Sequence, residues 1–283
     1  MVKKLIFVVA VMVFFISDGG VIVAQQVQDE YELVFSDEFN LPNGSQPDST
    51  KWKRSVRNSP IWARWISDSL DVVFIKNGNL ICRAIPNRTL SVDTAKMLTG
   101  AIETRGKFSF QYGKVEVRMK TNKQNGNFPA AWMGPAPGGS DTRYGEIDIV
   151  EMFGSLEETY HTVHSHMSAT LGKTVGPVRE FRHKVSYTKW HVYGVEWDEN
   201  KIIWTVDGQK IGEYKKLNTP DMIRDGQWTF DRPFFLMLNQ SVGDGSHKRL
   251  LYPDIKKVYE TQFDWIRVYQ KKNKKKAEKL SSP

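Results

Sequence analysis

Cysteine is nearly absent. Cys82 is the single one in 283 residues, so no internal disulfide can brace the fold. It sits in the strand-like run Leu80-Ile-Cys-Arg-Ala84, where it reads as a small buried hydrophobe. Long apolar runs are missing too. The longest, residues 5–16, follows Lys3 and Lys4 and is too short to span a bilayer. With Ala24 offering a small residue for cleavage before Gln25, residues 1–24 have the make-up of a secretory signal, and no cysteine stands there to carry a lipid anchor. The mature chain is therefore expected to be exported, periplasmic or extracellular, and not attached to the membrane.

Helical periodicity, internal repeats and interdomain linkers are also scarce. A net charge of +8 would suit nucleic acid, but residues 271–283 alone hold six lysines against one glutamate. That tail has too little apolar content to pack and is expected to be disordered. What is left has no basic helical stripe that would read a groove, so nucleic acid is not an expected partner. Residues 25–270 are long enough for one large β domain, expected to act as a monomer.

What is present is a series of short apolar-rich runs divided by turn signals. Residues 72–75 and 80–84 flank Asn77-Gly78, a hairpin pair. Strands are predicted over 101–104, 107–110 and 114–120. In the last of these Val115, Val117 and Met119 oppose Lys114, Glu116, Arg118 and Lys120, which gives one buried and one wet face. Residues 190–197, 202–206 and 210–214 follow as antiparallel neighbours, with Asp207-Gly208 as a turn. The nearly continuous apolar run 234–239 predicts a central strand, and 263–270 the last one. This spacing points to an all-β sandwich rather than βαβ units.

The stretch Tyr144-Gly-Glu-Ile-Asp-Ile-Val-Glu-Met-Phe-Gly154 carries the chemistry. Glu146, Asp148 and Val150 share one strand face by strict alternation, which would turn Glu151 inward among Ile147 and Ile149 at a large desolvation cost. A β-bulge at Ile149-Val150 resets the parity and puts three carboxylates on one open face. The outer two Cα atoms then lie roughly 13 Å apart, and glutamates leaning together can leave a gap of about 5 Å, as in retaining glycosidases. Three clustered acids cannot all stay ionised cheaply, so their pKa values must split. A solvated acidic face or a divalent-cation site is the plainer alternative.

Glu146-x-Asp148-x-x-Glu151 resembles the active-site strand of glycoside hydrolase family 16 in its bulged, laminarinase-like form. Phe35-Ser-Asp-Glu-Phe39, Asn77-Gly-Asn-Leu80, Gly113-Lys-Val-Glu-Val-Arg118, Phe128-Pro-Ala-Ala-Trp-Met133, Trp204-Thr-Val-Asp-Gly208 and Phe263-Asp-Trp-Ile-Arg-Val-Tyr269 resemble further landmarks, in the family's order. The resemblance implies a β-jelly roll of two antiparallel sheets with a concave cleft. It also implies an endo-β-glucanase acting on β-1,3-containing glucans with Glu146 as nucleophile, Glu151 as acid/base and Asp148 tuning the pair. No cofactor is implied for catalysis. Hydrolysis of an algal galactan, transglycosylation, and non-catalytic glycan binding are alternatives on the same fold. For sulfated galactans, Arg64, Arg83 or Arg143 would meet the sulfate.

Sugar rings pack their C–H faces on indole. The resemblance places Trp132 on the cleft floor, and Trp62 and Trp65 sit in a loop-like segment, of which Trp65 is taken as the subsite residue. His164 shares a strand face with Thr162 and His166, and the resemblance puts it near the acid/base, Glu151. Asn239, ending the central strand, is a further cleft candidate. A structural Ca²⁺ remote from catalysis is implied at Glu38, the Gly78 carbonyl and Asp264, since hard oxygen ligands suit this ion.

Overall fold

The computed structural model describes residues 30–272. The expected signal at 1–24 and most of the basic tail at 271–283 lie outside the described residues. Contacts divide the chain into two units. Of the smaller, the described part is residues 30–32 and 271–272, with Lys272 N donating to the Glu30 carbonyl at 2.7 Å. The larger, Leu33–Gln270, is built almost entirely of antiparallel strands.

In chain order these are β1 (Tyr31–Asp37), β2 (Lys53–Arg54), β3 (Val73–Lys76), β4 (Asn79–Pro86), β5 (Met97–Glu103), β6 (Gly113–Thr121), β7 (Asn127–Pro135), β8 (Gly145–Met152), β9 (Glu158–Ser165), β10 (Glu180–Lys184), β11 (His191–Trp197), β12 (Lys201–Val206), β13 (Gln209–Lys215), β14 (Phe234–Val242) and β15 (Tyr259–Lys271). One sheet runs β10-β9-β8-β7-β14-β5 and the other β4-β15-β6-β11-β12-β13, with β3 on β4 and β1 on β15. Their inner faces interdigitate in one apolar core, where Val115, Val117 and Ile266 from one sheet meet Ile147, Leu236 and Leu238 from the other. Cys82 is fully buried in it, and burial pushes its thiol up to about 12.

β5 belongs to both sheets. Residues Met97–Thr99 pair with β4, while Gly100–Glu103 pair with β14. The corner falls at Gly100, where a Cβ would stand 2.0 Å from the Val72 carbonyl oxygen, so only glycine lets the backbones pass. Apolar content explains the rest. β14, buried along its whole length, lies between β7 and β5 as the run 234–239 predicts. The β3–β4 hairpin turns through Asn77 and Gly78 at φ 53° and 72°, the paired positive φ that Asn-Gly supplies.

Two expectations fail locally, and one strand was not expected. Residues 107–110 are no strand: the Thr104 carbonyl accepts from both Lys107 N and Phe108 N, closing a turn, and Phe110 alone bridges to Phe234. β5 starts four residues before the predicted run, because Met97 and Thr99 are buried by neighbours far away in sequence. β10, rich in charge, carries no alternation and forms at the sheet edge through its ladder to β9. Helix is confined to short turns and to α1 (Pro220–Asp225), stopped by Gly226 in the left-handed region. Among the described residues no helix is long and apolar enough to cross a membrane.

Candidate active site

β8 carries the acids, and its bulge is visible in both ladders. On the β7 side Val150 faces Ala131 and Asp148 faces Trp132; on the β9 side Asp148 faces Thr162 and Glu151 faces Tyr160. Ile149 has no register partner on either side, and Ile149 and Val150 both point into the core. The parity is thereby reset, and Glu146, Asp148 and Glu151 line one pocket with Trp62, Phe128, Ala130, Trp132 and Asn239.

The three carboxyls have unlike surroundings. Glu146 Oε2 accepts from the Tyr144 hydroxyl at 2.7 Å, and His164 Nε2 stands 3.6 Å from Glu146 Oε1 and 3.4 Å from Asp148 Oδ2. No side chain donates to Glu151 among the described residues, and Asp148 Oδ2 is buried without a hydrogen bond. Burial raises all three. Glu146 goes to about 7, pushed first by desolvation and then by Asp148, and is held back by His164 and Tyr144. Asp148 is raised by desolvation against the opposing charge of Arg179, and Glu151 rises well above the usual carboxylate range through desolvation and then the charge of Asp148, against the pull of His164. Glu146 therefore ionises at the least cost, and Glu151 is the one set to keep a proton.

His164 lies directly opposite Glu146 in the β8–β9 register, so it serves the Glu146–Asp148 end. Its closest carboxyl oxygens are those of Asp148 and Glu146, while its charge also acts on Glu151, the neighbour the resemblance implies. Trp132 is 7% exposed and donates its Nε1 to Asn239 Oδ1 at 2.9 Å, so both expected cleft residues meet in one contact. Trp65 does not reach this pocket. It packs on Ala84, Met97, Val242 and Tyr259, and Trp62 stands there instead, its ring at 78° to Trp132 with centroids 4.9 Å apart. The segment is anchored from below, Ser241 Oγ donating to the Trp62 carbonyl at 2.6 Å.

Two contributors escaped the sequence. Tyr144 stands two residues before Glu146, and the Thr229 hydroxyl donates to its carbonyl at 2.8 Å, steadying the backbone from which its phenol reaches back. Arg232 holds the preceding loop by donating to the carbonyls of Asp141 and Arg143.

The calcium donors do not fit as they stand. Glu38 accepts a two-bond fork from Arg267 at 2.8 Å, and Asp264 is ion-paired with Arg118, so a cation would have to displace two guanidinium groups. The three guanidinium groups proposed to meet sulfate are paired as well: Arg64 with Asp244, Arg83 with Glu260 and Arg143 with Asp141. Glu146, Asp148 and His164 place ligand atoms within 4.8 Å of one another, but a cation there would neutralise the very carboxylate that Tyr144 holds ready.

Residues 71–248 match the model of the glycosyl hydrolases family 16, a stretch that contains β8 and its bulge. The chain belongs to glycosyl hydrolases family 16. It is 32% identical to a keratan-sulfate endo-1,4-β-galactosidase of Sphingobacterium multivorum over 85% of this chain and 56% of that one. It is 31% identical to a β-glucanase of Rhodothermus marinus over 75% of this chain and 76% of that one. Among solved structures, the laminarinase catalytic domain of Thermotoga maritima superposes with a TM-score of 0.70 at 30% identity, covering 86% of this chain and all of its own. The chain spans about half the length or less of the first curated relatives it matches. The jelly-roll expectation agrees with these family 16 neighbours and with the two curved antiparallel sheets.

Proposed function

We propose that this family 16 protein is an exported endo-acting glycosidase that cleaves β-1,3-containing glucans with retention. The observation that carries the reading is the unequal treatment of two glutamates in one pocket: Glu146 accepts from the Tyr144 phenol at 2.7 Å and has His164 at 3.6 Å, while Glu151, on which His164 acts only at longer range, has no side-chain donor among the described residues. Ionised Glu146 attacks the anomeric carbon, and protonated Glu151 gives its proton to the departing glycosidic oxygen. Glu151, now a carboxylate, deprotonates the water that releases the glycosyl-enzyme. Asp148, raised by burial, stands beside His164 at the Glu146 end, and the split in pKa values spares the pocket three negative charges at once. Trp132 and Trp62 offer C–H platforms at right angles, which suits a chain that bends at a β-1,3 linkage. The laminarinase and β-glucanase likenesses favour a glucan.

A β-galactan is the second reading, carried by the keratan-sulfate galactosidase likeness over most of this chain. The paired state of Arg64, Arg83 and Arg143 speaks against those three as sulfate contacts. Digestion of laminarin, mixed-linkage glucan, keratan sulfate, agarose and κ-carrageenan with size-resolved products tests both. Oligosaccharides from either glucan support the first reading, and products only from a galactan move the protein to the second. Glu146→Gln and Glu151→Gln should each fold and lose at least about a thousandfold in kcat; near-normal turnover in either would reject the roles.

A further inference from the structure

A bulge places Glu151, but a bulge also leaves backbone groups without ladder partners. Ile149 has no register partner in β7 or β9, and its carbonyl lies in the core. It accepts from His161 Nδ1 at 2.6 Å. The preceding carbonyl, that of Asp148, accepts from the indole Nε1 of Trp204 at 2.8 Å. His161 comes from β9 and Trp204 from β12 in the opposite sheet; both are fully buried. Two consecutive carbonyls at the point where the strand changes parity thus each accept from a buried side chain.

We propose that His161 and Trp204 are positioning residues that hold the β8 bulge in the one geometry that turns Glu151 into the pocket. The inference rests on Glu151 being the acid/base. A carbonyl can only accept, so the Ile149 oxygen sets the proton of His161 on Nδ1, and Nε2 lies 2.9 Å from the Thr159 hydroxyl. Desolvation keeps the ring neutral, its pKa lowered to about 4, so the contact persists across the working range. Without the two donors the buried carbonyls lose their partners, and the bulge can migrate along β8 and carry the Glu151 carboxyl away from the leaving oxygen. Glu146, before the bulge and held by Tyr144, stays in place.

This predicts an asymmetric defect. A substrate with an activated aryl leaving group departs without a proton, so its first step needs Glu146 and not Glu151. His161→Phe and Trp204→Phe should lose about 10–100-fold in kcat on the polysaccharide with KM nearly unchanged. On a dinitrophenyl β-glycoside kcat/KM should stay within a few-fold of wild type, as it should for Glu151→Ala. His161→Asn, whose amide nitrogen can take the place of Nδ1, should recover most of the loss. Amide hydrogen exchange adds a reading independent of turnover: it should quicken at Ile149–Glu151 in His161→Phe and not at Gly145–Ile147. Equal losses on both substrates, no rescue by asparagine, or unchanged exchange at the bulge would overturn the proposal. If Glu151→Ala itself fails to show the asymmetry, the acid/base assignment falls instead, and exchange still decides whether the two donors hold the bulge.

Discussion

Glu146 is buried beside Asp148, yet it is the acid with donors, and that contrast makes pH a test at the residue scale. A carboxyl raised to about 7 when folded binds its proton more tightly than the unfolded chain does. Between its ordinary value and about 7 the folded state holds a proton that the unfolded state has released. The fold therefore loses stability as pH rises through this interval, and below it the group makes no difference. Glu146→Gln, which cannot ionise, should raise the melting temperature at pH 8 by about 5 °C, on the order of 2 kcal/mol, and leave it unchanged at pH 4. A stabilisation equal at both pH values would point to packing rather than charge. Tyr144→Phe removes the phenol donor and should move the acid limb of the kcat/KM profile, which tracks Glu146 ionisation, to higher pH. An unmoved limb would mean that the phenol does not stabilise the carboxylate.

On the scale of an element, parity governs β8. Deleting Ile149 yields Glu-x-Asp-x-Glu, strict alternation, and keeps the third acid on the open face. Inserting one alanine after Val150 turns that acid into the core beside Ile147 as long as the bulge at Ile149-Val150 is held; strict alternation would return it to the open face. The deletion variant should melt cooperatively and keep measurable, reduced hydrolysis. The insertion variant should lose hydrolysis and at least about 3 kcal/mol in a denaturant titration, because an unpaired carboxyl enters the interior. If both behave alike, the bulge is not held against an added residue, and strict alternation alone places the third acid. The alternation of acid and β-branched residue made this bulge legible, since only one shift keeps Glu151 out of the core. His164's partner was not legible, because cross-strand register depends on where the 153–157 turn ends.

For the whole molecule, the two sheets close on a core supplied by every long strand, and the Glu38–Arg267 and Arg118–Asp264 pairs are partly exposed outside it. With those carboxylates engaged, EDTA should leave the melting temperature unchanged within error, while a drop of several degrees restored by Ca²⁺ would mean that the pairs yield to the ion. The sequence by itself determined the all-β class, the Asn77-Gly78 hairpin, the central place of β14 and the grouping of Glu146, Asp148 and Glu151. Each of these follows from local alternation, turn chemistry or the cost of burying a charge. Only the tertiary structure decided that Trp62 and not Trp65 meets Trp132, that Tyr144 reaches Glu146, that His164 faces Glu146, and that His161 and Trp204 hold the bulge. Those contacts depend on register and on the packing of one sheet against the other, and neither leaves a periodic trace in a single strand.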